Sequence, residues 1–276
     1  MNKIILVVLI TVSALACTKE TTLELNEAIT DQQPEDTLSV SGRKASRRSG
    51  VVFTFDDTFV DEWYSLNNVV PKKYNWKATF FVTAISSMTN AQKTKLRYLQ
   101  AYGHEIGGHG YQHLNAAEYI RNNDAASYIN TEITPMLKVM RENGLRVQSF
   151  AYPYGGRNKS TDSLLLRYFS MLRGTTSYNF IENIQDLGCY YNFDASKLVL
   201  GVGIDKIYNT PTDYLISLLK YAKANNKIVI FYGHRPMLQA ADGQYQTSYS
   251  TILDLCKYAN DNNIPFYRMN DINGLR

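Results

Sequence analysis

Three places in the sequence put chemically competent polar side chains directly after short apolar segments. Asp56 and Asp57 follow one such segment, His109 and His113 follow another, and His234 follows a third. In parallel α/β proteins the working residues lie at the carboxyl ends of the strands, which meet at one edge or one end of the sheet. We therefore expect these five side chains to serve one site.

His109 and His113 are four residues apart, the spacing that places two imidazoles on one side of a helical turn. Two histidines alone are found more often at the surface or in the core than on a metal. A carboxylate from another strand end would complete a set of two histidines and one aspartate, which leaves coordination positions open for water and substrate. The spacing, taken with the nearby acids, predicts a metal site.

The acids and the remaining histidine allow other interpretations. Asp56 and Asp57 could be the acid pair of a glycosidase, but neighbours on a regular strand point to opposite faces, which suits two different roles better. They could also cap the following helix. The segment His104–Gly108 begins like a zinc-protease helix, but Gly108 stands where the second histidine is needed, so we expect His104 to be structural.

Apolar segments alternate with helical patterns from Gly50 to the C-terminus. The predicted strands are Val51–Phe55, Lys77–Val82, His104–Gly108, Gln148–Tyr152, Ser170–Thr175, Leu198–Gly203, Lys227–Tyr232 and Ile264–Arg268. The predicted helices are Phe59–Val70, Thr89–Tyr102, Ala116–Glu142, Thr161–Tyr168, Asp213–Asn225 and Thr251–Asn260. Seven or eight parallel strands covered by helices in about 225 residues predict one α/β domain, a closed or nearly closed (β/α) barrel. An open doubly wound sheet is the alternative.

The N-terminus is typical of an exported protein. Lys3 precedes the apolar run Ile4–Ile10, which is too short to span a bilayer, and small residues lead up to Cys17. The ending Ala-Leu-Ala-Cys resembles a bacterial lipoprotein box, in which the cysteine is lipidated and becomes the new N-terminus. We predict a signal peptide at residues 1–16 and a lipid anchor at Cys17 that holds the protein on a bacterial membrane in the cell envelope. A plain secretory signal is the alternative.

Residues 17–49 lack hydrophobic periodicity and predict a flexible tether before a domain at residues 50–276. Cys189 and Cys256 are the other cysteines; they could pair in an exported protein, but they form no disulfide framework.

The overall composition excludes several classes of protein. A chain of 276 residues that is 45% hydrophobic and 20% charged is neither disordered nor a disulfide scaffold. The net charge of +4 argues against nucleic acid as a partner. The 21 tyrosines suit a carbohydrate or peptide surface, although a tyrosine-rich core is the commoner reason for such a number.

Taken together, the motifs resemble those of the polysaccharide deacetylase family, the NodB-homology domain of carbohydrate esterase family four. The resemblance covers about Gly50 to the C-terminus and rests on Thr54-Phe55-Asp56-Asp57, Gly103–His109 with His113, Tyr152-Pro153-Tyr154-Gly155 and the strand that ends at His234. It implies a distorted (β/α) barrel. It also implies a hydrolase that removes N- or O-linked acetyl groups from a carbohydrate polymer or oligosaccharide.

The resemblance further implies a role for each residue of the site. Asp57, His109 and His113 would bind one divalent metal ion, and zinc is the expected one. Asp56 would be the general base that takes a proton from the water on the metal. His234 would be the general acid that protonates the leaving group.

The substrate follows from the same resemblance. The backbone N–H of Tyr154 would help to hold the developing oxyanion, and the partner would be an acetylated glycan. A catalytically impaired, carbohydrate-binding lipoprotein on the same fold is the alternative, and a glycosidase that uses Asp56 is a third possibility.

The chain departs from the family pattern at several positions. Ala151 stands where most members have an arginine that pairs with the base, and Arg173 is the substitute we consider. The family's Asp-x-x-x-Trp element is absent, so the aspartate that orients the acid histidine is unassigned, with Asp205 as the candidate. Gly110 replaces the Ser or Thr after the first histidine, and Leu114 replaces the Pro after the second. These departures fit a divergent active subgroup or an impaired enzyme.

Overall fold

The computed structural model describes residues 49–276. These residues form eleven short strands. All eight predicted strands are present, most with bounds shifted by one or two residues. Three further strands, β6 (Tyr190–Tyr191), β9 (Arg235–Met237) and β10 (Gln246–Ser248), contain only two or three residues, and no apolar run predicts them. The strands are β1 (Gly50–Asp57), β2 (Ala78–Val82), β3 (Glu105–Gly108), β4 (Ser149–Ala151), β5 (Met171–Thr175), β6 (Tyr190–Tyr191), β7 (Leu198–Gly203), β8 (Ile228–Gly233), β9 (Arg235–Met237), β10 (Gln246–Ser248) and β11 (Phe266–Tyr267).

Seven parallel strands of the described chain close into a barrel in the order β1, β2, β3, β4, β5, β7, β8. Closure comes from β1 and β8, which pair in parallel over Gly50–Phe55 and Ile228–Gly233. Outside this ring, β11 pairs with the start of β1, and β6 pairs antiparallel with β8. The predicted (β/α) barrel is confirmed, and the open-sheet alternative is wrong because the first and last strands of the ring are hydrogen-bonded to each other.

Helices cover the outside of the barrel and follow the predicted segments with one exception. They are α1 (Val60–Val69), α2 (Asn90–Ala101), α3 (Ala116–Asn122), α4 (Ala125–Tyr128), α5 (Thr134–Glu142), α6 (Lys159–Leu165), α7 (Thr212–Ala224) and α8 (Tyr249–Asp261). Helix α2 begins with a capping box formed by Thr89 and Gln92.

The exception is the segment Ala116–Glu142, which we predicted as one helix and which is broken into three. Asp124 starts a new helix because its side chain accepts the backbone N–H of Ser127. A π-helical turn at Ile129–Ile133 then joins α4 to α5. Pro135 lies at the start of α5 and lacks the N–H that a regular helix would use, which explains the irregular turn before it.

The predictions for the N-terminal segment and the cysteines have different outcomes. The predicted signal peptide (1–16) and all but the last residue of the predicted tether (17–49) lie outside the described residues and stay predictions. In residues 49–276, no helix combines the length and the apolar character needed to cross a membrane. Cys189 and Cys256 are both buried and free, so they do not form the disulfide that we left open.

One aromatic cluster fastens β1 and β2 to helix α1. The fully buried Phe80 ring stacks on Phe55 and Trp63, with ring centroids 5.8 Å and 5.2 Å away, and meets the His104 ring edge-on at 5.4 Å. Trp63 also donates its Nε1–H to the backbone carbonyl of His234 at 2.9 Å. The cluster therefore links the outer helix to the end of β8.

Replacing Phe80 with alanine removes the centre of this cluster. We expect the Phe80→Ala variant to lose about 3–5 kcal/mol of unfolding free energy, because a large ring leaves a cavity in a closely packed core. Urea denaturation measures the loss. Leu238→Ala is the matched control, since Leu238 is 76% exposed and its loss should change stability by less than about 0.5 kcal/mol. Equal effects in both variants would contradict this account of the core.

Candidate active site

The carboxyl ends of the barrel strands surround a cavity of about 510 Å³. It brings together every site residue that the sequence predicts. The lining residues are Asp56, Asp57, Phe59, His109, His113, Tyr152, Tyr154, Gly155, Arg173, Thr175, Tyr208, Tyr232, His234 and Tyr245. A larger cavity of about 770 Å³ lies near the amino ends of β1 and β8, but its described lining contains no carboxylate and no histidine.

Asp57, His109 and His113 converge at one wall of this cavity. The Asp57 Oδ1 atom lies 3.3 Å from His113 Nε2 and 3.6 Å from His109 Nε2. The two Nε2 atoms are 3.1 Å apart. One carboxylate oxygen and two imidazole nitrogens within 4.8 Å of one another form a possible site for a metal ion.

The donor set fits a divalent cation. His109 is 2% exposed, and its Nδ1–H donates to the carbonyl of Ala151 at 2.8 Å. This bond fixes the tautomer, so the lone pair of Nε2 faces His113 and Asp57. Burial raises the pKa of Asp57, but in the metal-free site hydrogen bonds with His109 and His113, which need a proton on each ring Nε2, outweigh burial and bring the pKa well below its ordinary value. The carboxylate is therefore ionised and ready to bind a cation.

The histidine pair does not lie on a helical turn, so that expectation from the spacing is wrong. Residues between the end of β3 and the start of α3 form an irregular loop. Gly110 and His113 both have positive φ, +81° and +66°, and these two residues turn the chain so that the imidazoles face each other. The i,i+4 spacing thus indicated that His109 and His113 act together, but the helical turn that it suggested is absent.

Asp56 and Asp57 face the same cavity, although neighbours on a regular strand point to opposite faces. The reason is the φ of +85° at Asp57, which takes the end of β1 out of regular strand geometry. The Asp57 carbonyl still accepts the N–H of Thr83 at 3.2 Å. The distortion allows one strand end to supply two carboxylates with different surroundings.

Arg173 forms an ion pair with Asp56, the contact that we considered for it. Its Nη2 donates to Asp56 Oδ2, and both residues are buried. The guanidinium carbon lies 5.0 Å from the Tyr232 ring centroid and 5.5 Å from that of Phe81. The Asp56 Oδ1 atom is buried and has no hydrogen-bond partner within the described residues. Arg173 therefore holds one oxygen of the carboxylate, and the other remains available to accept a proton.

Asp205, the candidate for orienting His234, lies directly behind it. The His234 Nδ1–H donates to Asp205 Oδ2 at 2.5 Å, and the backbone N–H of His234 donates to Asp205 Oδ1 at 3.1 Å. The hydroxyl of Thr247 also donates to Asp205 Oδ1. Burial lowers the pKa of His234, but the hydrogen bond and charge of Asp205 outweigh burial, so the pKa is raised above its ordinary value. His234 is thereby favoured in its protonated, acid form.

His104 has the structural role that we expected. It is 1% exposed; its Nδ1 accepts the N–H of Ala78 at 3.1 Å, and its Nε2–H donates to Asn67 at 2.8 Å. Burial lowers its pKa to about 3. The ring is therefore neutral, and it lies outside the cavity.

With the geometry established, comparison with known proteins tests the family resemblance. The family model for polysaccharide deacetylase matches residues 43–168. This range contains Asp56, Asp57, His109 and His113. The predicted family resemblance is confirmed.

The barrel is also similar to solved structures of polysaccharide deacetylase type. They include a T48 deacetylase with substrate (18% identity, 82% of this chain and 90% of that chain, TM-score 0.51) and peptidoglycan deacetylase PdaC from Bacillus subtilis (16%, 82% and 90%, TM-score 0.51). Another is BA3943, a CE4 family pseudoenzyme from Bacillus anthracis (14%, 83% and 67%, TM-score 0.53). At these identities the likeness shows the fold alone. No curated protein matches the chain.

The polysaccharide deacetylase resemblance did not reveal three tyrosines of the cavity. Tyr208, Tyr232 and Tyr245 surround His234, with Tyr245 at a ring-centroid distance of 5.0 Å from it. The hydroxyl of Tyr232 donates to that of Tyr208 at 2.8 Å. Tyr208 follows Asp205 by three residues, and Tyr232 precedes His234 by two. This closeness in sequence is the signal that could have placed these two tyrosines in the cavity.

Tyr154, predicted from the resemblance, lies on the opposite side of the same cavity. Its φ of +58° is unusual for a residue with a side chain, and its ring, 73% exposed, lies 4.6 Å from the His113 ring. Strained backbone of this kind is often found at functional sites.

Removing the charge of Asp205 should lower the pKa of His234, because burial then acts without a compensating anion. We expect NMR titration of the His234 ring in the Asp205→Asn variant to show this fall. In the wild type the raised pKa stabilises the fold fully below the unfolded value of about 6.5, and this contribution disappears as pH rises through the folded pKa. The stability difference between wild type and variant should therefore shrink at alkaline pH.

The control for this titration is Asp254→Asn, which removes an exposed carboxylate on α8. It should leave the His234 titration unchanged. An unaltered His234 pKa in Asp205→Asn would contradict the role given to Asp205.

Proposed function

We propose that this protein is a metal-dependent deacetylase that hydrolyses N- or O-linked acetyl groups on a carbohydrate polymer or oligosaccharide. One observation carries the proposal: an Asp-His-His donor set shares a cavity with the carboxylate of Asp56 and with His234. The family match supports the same chemistry. The similar solved structures include that of a peptidoglycan deacetylase.

Asp57, His109 and His113 would hold one divalent metal ion, and we propose zinc. Such an ion, when bound, polarises the acetyl carbonyl and makes water a stronger nucleophile at neutral pH. The Nδ1 bond from His109 to Ala151 keeps that ring in the tautomer that can bind.

Asp56 is the proposed general base. Its free Oδ1 accepts a proton from the attacking water, while Arg173 holds Oδ2 and prevents the carboxylate from turning away. The backbone N–H of Tyr154 is proposed to donate to the acetyl oxygen as negative charge develops there.

His234 is the proposed general acid. Asp205 keeps the ring oriented and raises its pKa, so that Nε2 carries a proton for the leaving amine or alcohol. The water thus contributes one proton to Asp56 and its oxygen to acetate, and the released sugar nitrogen or oxygen takes a proton from His234.

The contacts of Arg173 and Asp205 weaken the alternative of an impaired carbohydrate-binding protein. It depended on the missing arginine and the missing orienting aspartate of the family pattern. Arg173 and Asp205 contact the same two groups, Asp56 and His234, from other positions of the chain. These contacts favour an active enzyme of a divergent subgroup.

Replacing Asp56 with asparagine tests the proposal most directly. The variant should bind zinc as well as the wild type, because Asp56 lies outside the donor set, and should release acetate at least 10²-fold more slowly. Acetate release from chitin-type, peptidoglycan and acetylxylan substrates measures the rate. A chelator should abolish the wild-type activity, and added zinc or cobalt should restore it.

Asp254→Asn serves as the control for this experiment and should retain full activity. Undiminished turnover in Asp56→Asn would exclude Asp56 as the base. Glycan binding by the wild type without acetate from any substrate would favour the impaired binding protein, and new reducing ends would favour a glycosidase.

We also propose that the protein is exported and anchored by lipid at Cys17. The apolar run and the small residues before Cys17 support this. In a bacterial host, Cys17→Ser should move the protein from the membrane fraction to the soluble fraction, as an immunoblot of separated fractions would detect. The control variant is Ser13→Ala, which leaves Cys17 intact and should stay in the membrane fraction. Membrane association that survives Cys17→Ser would exclude the lipid anchor.

A further inference from the structure

Glu132 is a fully buried carboxylate that lies close to the metal-binding loop but outside the cavity. It lies on the π-helical turn Ile129–Ile133. Its neighbours on the inner side of this helical segment are apolar, among them Tyr128, Ile129, Ile133 and Met136. A lone acid on a buried face needs partners, because burying an unpaired charge is strongly unfavourable.

The partners of Glu132 are backbone N–H groups of the loop that carries His113. Oε1 accepts the N–H of Gln112 at 2.8 Å, and Oε2 accepts the N–H of Leu114 at 3.3 Å. The carboxylate therefore binds the residues on both sides of His113.

The loop packs directly onto this carboxylate. A Cβ atom placed on Gly110 would lie 2.3 Å from Glu132 Oε2, so a side chain there would collide with it. Gly110 is also at a φ of +81°, which glycine adopts without strain. Glycine at position 110 thus lets the loop close over Glu132.

The other hydrogen bonds to backbone atoms of this loop, among the described residues, hold its beginning. The His109 N–H donates to the carbonyl of Val82 at 3.0 Å, and the Thr83 hydroxyl donates to the carbonyl of Gly110 at 2.9 Å. His113 comes later and has a φ of +66°, a conformation that a residue with a side chain adopts only when its surroundings impose it. The hydrogen bonds to Glu132 are the ones that flank this residue.

We propose that Glu132 is a positioning residue that fixes the loop Tyr111–Leu114 and so directs the His113 imidazole toward His109 and Asp57. A carboxylate suits this task, because its two oxygens accept several N–H groups at once and their partial positive charges stabilise the anion. The effect on metal binding rests on the proposed function, whereas the effect on the loop does not.

The first test measures metal affinity in the full-length protein. Glu132→Gln keeps the size of the side chain, but its NH2 group faces backbone N–H donors and cannot accept from them. We expect zinc affinity to fall 10- to 100-fold, as for other residues that support metal ligands, in competition with a chromophoric chelator. The spectrum of the cobalt-substituted variant should also change, because the position of His113 changes.

The matched control is Glu142→Gln, which removes an exposed glutamate at the end of α5, on the same helical segment. It should leave zinc affinity and the cobalt spectrum unchanged. Circular dichroism establishes that both variants are folded. If Glu132→Gln does not fold, Glu132→Asp retains the charge, withdraws the oxygens from the loop and is expected to weaken zinc binding in the same way.

The second test needs no metal. Amide hydrogen exchange at Gln112 and Leu114 in the metal-free protein should be at least 10-fold faster in Glu132→Gln than in wild type or Glu142→Gln. If Glu132→Gln shows faster exchange but the wild type binds no zinc, the loop anchor is supported and the result counts against the proposed function alone. Unchanged exchange at both amides, or wild-type zinc affinity in a folded Glu132 variant, would overturn the inference.

Discussion

Two unprotonated imidazole nitrogens and an ionised carboxylate repel one another unless a positive charge lies among them. At Nε2–Nε2 and Nε2–Oδ1 distances of 3.1–3.6 Å, this constraint governs the candidate site. Everything around the cluster keeps the lone pairs directed inward: the Ala151 carbonyl fixes one ring, the Glu132 carboxylate fixes the loop of the other, and the distorted end of β1 turns the carboxylate toward both. A barrel is well suited to this, because strand ends far apart in sequence meet at one opening.

The two proposed proton carriers are held in the same manner from other strands. Arg173 on β5 reaches Asp56 at the end of β1, and Asp205 after β7 reaches His234 after β8. Each reactive group thus has a charged partner of opposite sign on one side and the cavity on the other. The Asp205 carboxylate beside His234 favours the protonated form of the histidine against the effect of burial.

The sequence allowed the barrel and the reactive residues to be predicted because both leave local signals. Apolar runs mark the strands, and polar residues directly after them mark the strand ends, as for Asp56, Asp57 and His234. The residues that support them, Arg173 and Asp205, could be named only as candidates, because they lie 117 and 29 residues along the chain from Asp56 and His234. The sheltered Glu132 was missed altogether, although one acid within an otherwise apolar helical face is a signal that could have indicated it.

Local geometry was the least predictable part of the site. The i,i+4 spacing of His109 and His113 suggested a helical turn, but the loop takes its shape from positive φ at Gly110 and His113 and from contacts with a distant helical segment. The irregular conformation at Asp57 likewise has no pattern in the sequence. Such positions are where functional sites often depart from regular geometry, so rules based on periodicity fail there for a physical reason.

Closure of the barrel has a consequence for how the chain folds. β1 is the first of the described strands to leave the ribosome, yet one of its edges is completed only by β8, whose partner residues follow about 180 positions later. Until that segment has been synthesised, β1 keeps an unpaired edge, and a topology with such remote contacts folds slowly. The barrel therefore closes only after residues 228–233 have been synthesised, so native folding waits for a segment far along the chain from β1.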